Sequence, residues 1–424
     1  MHNPVFLHLC DNGELSLRLR DKASGGLMLG NRQLWAVSTA SCIRSIGFGA
    51  SWPFMAIFFN INLKISIFYV GVIFTILSVF SSIFSLLGGQ LSDRIGRRNT
   101  LLVGSAMGLS IYAILSILVF TNANEFIIIG FFISSSISGA FVFPAASALV
   151  SDVTSESERN TAYSLYRIMS NVGWAIGPLT GGFLSVISIG YIFALVTVTS
   201  LIQLTVVALF LHPVETAARK TGSSVHIGLD WRLVLFAAGT FFITLVSSQF
   251  SVTLPVYSTK VVGILESNIG YIYAVNGLVV VLGQYPMSWI TRNISIVHVM
   301  AMGSAFYSFG YFLVAFSHSL YGLMFDMLFI TVGENLTSPG MNTVVSQIAP
   351  EGKTGRYMGF LSMANSAGRA IGPSIGSFFM FFYVYNGLKI WSTIGSLGFV
   401  SIALLLIFNF TVYRKRSDTA EIIG

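Results

Sequence analysis

Five charged side chains stand inside stretches that are otherwise apolar: Arg44, Arg167, Asp326, Glu334 and Arg369. A charge held away from water is costly, so intramembrane acids and bases mark binding sites, ion paths or proton relays. Arg44 lies twelve residues beyond Arg32, about 18 Å of helical rise, which is too deep for its side chain to reach the interface. Arg369 is comparably deep beyond Arg356, and Glu334 falls near the middle of its own segment. Arg167 is eight residues from Arg159, and Asp326 lies closer to a segment end, so both are within reach of water. Asp326, Glu334, Ser338 and Asn342 recur at multiples of four and trace one polar stripe on a helix. Gln249, with Ser247, Ser248 and Ser251, adds a polar patch to another apolar segment. Glu334 and Arg369 are at matching depth on consecutive segments, which predicts that they pair. Burial favours a neutral carboxyl and a nearby arginine favours the charged one, so moving that arginine would switch Glu334 between proton states.

These residues have to be positioned by helices that cross a bilayer. The chain has 424 residues, of which 54% are hydrophobic and only 9% charged, against about 25% charged in soluble proteins. Its apolar runs are continuous, and several reach the roughly 20 residues needed to span a membrane, which excludes an alternating β-barrel. The reading is an all-α membrane protein with twelve helices, near 33–60, 67–91, 98–120, 124–150, 160–186, 188–212, 231–259, 267–290, 295–317, 320–348, 355–383 and 388–412. Residues 1–31 form an N-terminal tail, 32–212 a first six-helix bundle, 213–230 a polar linker, 231–413 a second bundle and 414–424 a C-terminal tail. With odd-numbered loops outside, the external lysines and arginines reduce to Lys64, Lys260 and Lys389. The positive-inside rule therefore puts both termini in the cytoplasm of an integral cell-membrane protein. The net charge of +7 is topological and points to no nucleic acid. Two cysteines, Cys10 and Cys42, give neither a disulfide framework nor a metal site. No phosphate-binding loop for ATP and no catalytic triad is legible, and no enzyme activity is expected.

Between the second and third segments the chain reads Gly89-x-Leu91-x-Asp93-Arg94-x-Gly96-Arg97-Arg98. This run resembles the signature loop of the major facilitator superfamily. The resemblance implies that fold: twelve transmembrane helices in two pseudo-symmetric six-helix bundles, with the first, fourth, seventh and tenth helices around a central cavity. A shift of 195 residues supports two parallel repeats. It lays Gly88 on Gly283, Pro144 on Pro339, and Gly173, Gly177, Pro178 and Gly181 on Gly368, Gly372, Pro373 and Gly376. Opposite Asp93, Arg94 and Arg98 stand Ser288, Trp289 and Asn293, so the charged hairpin is a one-sided device. Its expected job is therefore asymmetric: Asp93 and the arginines latch the cytoplasmic side between the halves when the protein opens outward, with Arg159 or Arg167 as partners of Asp93.

The run Asn171–Gly182 holds Gly173, Gly177, Pro178 and Gly181 at helix-packing spacing. It resembles the fifth-helix motif of the twelve-helix drug–proton antiporter branch, where it governs conformational gating. That branch also carries an arginine on the fourth helix. Here Phe126–Val150 is uncharged, and Arg167 is the nearest cation. The resemblance implies a secondary transporter working by alternating access, with proton-coupled efflux of amphipathic compounds as the first expectation. A proton-coupled carrier of a sugar or organic-anion metabolite is the second, and a sensor or channel-like protein on the same fold the third. Arg44, Gln249, Asp326, Glu334 and Arg369 are the expected substrate or proton sites, and three embedded arginines leave room for an anion near Arg44. The proton is the expected coupling ion, without other cofactors. A small-molecule substrate and the lipid bilayer are the expected partners of a monomer.

Overall fold

The computed structural model describes residues 31–155, 158–213, 230–350 and 353–413. The expected tails lie almost wholly outside these residues, as does nearly all of the linker. Twelve long helices account for most of the described chain. They are α1 (Arg32–Asn62), α2 (Ile67–Ile95), α3 (Arg97–Phe120), α4 (Glu125–Asp152), α5 (Arg159–Ile187), α6 (Ile189–Phe210), α7 (Trp231–Lys260), α8 (Glu266–Ile290), α9 (Ile296–Phe316), α10 (Leu320–Ile348), α11 (Thr354–Phe382) and α12 (Gly387–Thr411). Eight are apolar enough throughout to cross a membrane by length and composition alone; the others, α5, α8, α10 and α11, are diluted by small and polar residues.

Those four diluted helices make close contacts within and between the halves. In the first half α1 packs on α5 and α6, α2 on α4, and α3 on α4 and α6. The second half repeats the scheme, with α7 on α11 and α12, α8 on α10, and α9 on α10 and α12. The halves meet along two seams, α5 with α8 and α2 with α11. Glycines set the spacing. A Cβ on Gly177 would stand 2.5 Å from the Ile46 carbonyl oxygen of α1, and Gly173 and Gly181 meet α1 one turn to either side. Gly368, Gly372 and Gly376 press on α7 in the same way. The 195-residue repeat is thus a repeated helix contact. The opposite face of α5 serves the seam, where Gly270 and Gly277 of α8 lie against Pro178 and Ala175.

One helix departs from expectation. The segment 231–259 reads as continuous, but α7 breaks at a 3-10 turn, Ser248–Phe250, and resumes at Thr253. Pro255 has no N–H to give and its ring collides with the carbonyl four residues back, so a regular helix cannot pass through it undisturbed.

Candidate functional site

Helix direction defines two ends. The basic end carries the α2–α3 hairpin, the linker side of α6 and α7, and the ends of the described chain. Hydrogen bonds join the halves from mid-depth to the opposite end. Thr75 Oγ1 of α2 donates to the Ala370 carbonyl (2.6 Å) and lies 2.7 Å from Ser374 Oγ of α11. Trp52 Nε1 of α1 donates to Ser251 Oγ of α7 (3.1 Å), and Lys260 Nζ reaches Asn60 Oδ1 at 3.5 Å. Toward the basic end the seams part. A cavity of about 1140 Å³ fills the space and runs out past Leu86 of α2 and Met363 of α11, both strongly exposed. The protein is closed at one end and open at the other.

Arg44, Glu334 and Arg369 all line this cavity, on α1, α10 and α11. Aromatic side chains form much of the remaining wall, among them Phe48, Trp52, Trp174, Phe250, Tyr307 and Tyr311. The Glu334 carboxylate accepts a hydrogen bond from Asn276 Nδ2 of α8 (2.9 Å), and the same amide donates to Thr331 Oγ1 (3.1 Å). Arg167, exposed on α5 of the other half, is close enough to act on Glu334 electrostatically. Glu334 is therefore held by one group from its own half and influenced by one from across the seam. The expected pairing with Arg369 does not form. Arg369 donates weakly to Ser366 Oγ (3.4 Å) and makes no ion pair among the described residues. Both line the cavity, but Glu334 is taken up by Asn276 and Arg369 turns to Ser366 on its own helix, so matching depth alone does not make the pair. Asn276 escapes a search for charges alone, although a lone amide in the apolar run Tyr273–Val281 carries the same signal as a buried charge.

Two expected site residues lie elsewhere. Gln249 is wholly buried and bridges the break in α7. Its Nε2 donates to the carbonyls of Leu245 (3.0 Å) and Gly372 (2.9 Å), and its Oε1 accepts from Thr253 Oγ1 (2.6 Å). It satisfies backbone at the break and is spent on structure, whereas Ser247, Ser248 and Ser251 do reach the cavity. Asp326 is only 3% exposed and accepts from Ser317 Oγ at 2.6 Å, off the cavity wall. The polar stripe drifts around α10 because four residues overshoot a 3.6-residue turn, so Asp326 and Glu334 face different neighbours.

In the hairpin, Gly96 adopts φ +90°, which lets α2 and α3 follow each other with this one residue between them. Arg97 donates to Asp93, to Ser92 Oγ (3.0 Å) and to Asp152 Oδ2 at the end of α4 (3.0 Å). Arg98 donates to the carbonyls of Leu211 (2.7 Å) and Ala208 (2.9 Å), closing the last turn of α6. In this form, open at the basic end, Asp93 pairs with Arg97, and Asp152 is a partner that the spacing of the hairpin does not disclose; the latch to Arg159 or Arg167 is an expectation for the form closed at that end. Arg94 forms no ion pair among the described residues, and a Cβ on Gly89 would meet nothing within 4 Å. No described group of three His, Cys, Asp or Glu could hold a metal.

Comparison with known proteins places this geometry. The chain matches the model of the Major Facilitator Superfamily over residues 37–373 and again over 236–422. It is 29% identical to the Bacillus subtilis MFS-type transporter YttB over 392 residues, covering 88% of this chain and 93% of that one. It is 25% identical to the multidrug resistance protein MdtH of Proteus mirabilis over 391 residues, with the same coverage. Among solved structures, the nucleoside transporter NupG superposes with a TM-score of 0.72 at 12% identity, covering 89% of this chain and 98% of that one. A POT family transporter in complex with 5-aminolevulinic acid gives the same score at 17% identity, covering 89% and 96%. The signature hairpin, the twelve helices in two repeated halves and the matched family model together make this chain a transporter of the major facilitator superfamily.

Proposed function

We propose that the protein exports small amphipathic compounds in exchange for protons by alternating access, with its basic end in the cytoplasm and Glu334 as the proton site. The observation that carries this reading is the setting of Glu334. Its carboxylate lines the cavity beside aromatic walls, bonded by Asn276 of its own half and within range of Arg167 on the other. A rocking of α5 against α8 and α10 changes the distance to Arg167 and leaves Asn276 in place. Proton affinity and conformation are then linked through one charge acting across the seam, as a coupled carrier requires. The likeness to MdtH and the fifth-helix glycine run support the choice of efflux. The asymmetric charge distribution, with basic residues gathered at the hairpin and linker, supports the orientation.

The test is Glu334→Gln in proteoliposomes. Dye export driven by a pH gradient should be lost, while exchange of labelled for unlabelled dye without a gradient persists. Gradient-driven export that survives in the variant would refute Glu334 as the proton site.

A further inference from the structure

We propose that the first half carries an anion site centred on Arg44, which receives the carboxylate- or phosphate-type head of an amphipathic compound. This rests on the cavity reading under Proposed function and narrows its cargo. Arg44 forms no ion pair and no hydrogen bond with any described residue, although it projects from mid-depth of α1. The cavity's one lining carboxylate, Glu334, is bonded to Asn276 and makes no ion pair with Arg44. The second lining cation, Arg369, also lacks an acidic partner. An uncompensated arginine at this depth is costly unless something from outside the protein satisfies it.

The surroundings fit such an occupant. Arg44 forms the border between the main cavity and a side chamber of about 160 Å³ within the first half. Ser41, Ser170, Tyr166 and Gln203 line that chamber, which is room for one acid group or a few waters at about 30 Å³ each. The phenols of Tyr112 and Tyr166 stand close enough to feel the guanidinium charge. Phe48 lies under the Arg44 Cζ at 5.8 Å from its ring centre and stacks on Trp52, offering an apolar shelf next to the cation. Gly139 makes the placement possible, since a Cβ there would stand 2.8 Å from Arg44 Nη2. The guanidinium fork, with its donors free, matches two oxygens of a carboxylate or phosphate, while an aromatic or aliphatic tail would lie on the cavity wall.

The test compares 1-naphthaleneacetate with 1-naphthaleneacetamide, which differ in the charge of the head group. Equilibrium dialysis of the radiolabelled compounds against the full chain in nanodiscs gives both affinities. The wild type should prefer the acid by about tenfold or more, as expected for hydrogen bonds to a charged group. In Arg44→Gln the ratio should fall to about one, while Arg44→Lys keeps part of it and confirms that the site remains folded. Gly139→Ala, which displaces the guanidinium without removing its charge, should also lower the ratio. A ratio near one in the wild type, or an unchanged ratio in Arg44→Gln, would overturn the anion site and leave the cavity reading intact. If neither compound binds the wild type, the amphipathic cavity itself is refuted. Acetate should compete with the acid in the wild type but not in Arg44→Gln, as it presents the charged head without the tail.

Discussion

Gly71→Ala tests whether the closed end is one of two alternating states. Gly71 sits on α2 near the closed end, against α11 of the other half. A Cβ at this position would stand 2.6 Å from Ser377 Cβ and 2.9 Å from the Pro373 carbonyl oxygen. Carbon atoms rest at about 3.5–4.0 Å, so α2 and α11 would have to separate by about 1 Å. One contact is backbone and cannot turn aside. Overpacking of this kind costs about 1–3 kcal/mol, and it is felt only while the seam is closed. The equilibrium should therefore move toward the form open at the opposite end by about 5- to 150-fold, at 1.36 kcal/mol per factor of ten. From an even starting population, a fivefold shift leaves about one sixth of the molecules in the present form, a threefold fall. The readout is Met363→Cys, at the mouth of the cavity and 62% exposed, with Cys10 and Cys42 replaced by serine. Its labelling by an impermeant maleimide from the basic side should slow in proportion. Gly130→Ala is the control, because its Cβ would meet nothing within 4 Å. Unchanged labelling in Gly71→Ala, or an equal slowing in Gly130→Ala, would refute the reasoning.

Other substitutions separate structural from functional groups. Asp326→Asn keeps the hydrogen bond from Ser317 and lies off the cavity, so gradient-driven dye export should stay within about twofold of wild type; loss of coupling would restore Asp326 as a proton site. Arg97→Gln removes the link from the hairpin to Asp152, whose carboxylate is partly exposed, and should lower stability by about 1 kcal/mol. That deficit, followed by thermal unfolding in detergent, should shrink in 1 M salt, where the screening length is about 3 Å; a salt-independent deficit would argue for packing instead.

The fold was legible in the sequence because its causes are local or periodic. Apolar runs of bilayer length, the hairpin at Gly89–Arg98 and the constant 195-residue offset are each properties of the chain as written. So was the depth of Arg44, Glu334 and Arg369, since helical rise per residue is fixed. The bearing of each side chain was not, because it depends on which helix faces meet. Asp326 and Glu334 share a stripe on paper, yet the drift of that stripe turns one to Ser317 and the other to the cavity. Glu334 and Arg369 share a depth, yet Asn276 is the group that bonds the carboxylate. Gln249 has the look of a binding residue until the break in α7 gives it carbonyls to satisfy. The chain thus dictates how far along its helix each charge sits, because the rise per residue is fixed. Only the packing of α1, α5, α8, α10 and α11 decides which of those charges find partners within the protein and which, like Arg44, face the cavity without one.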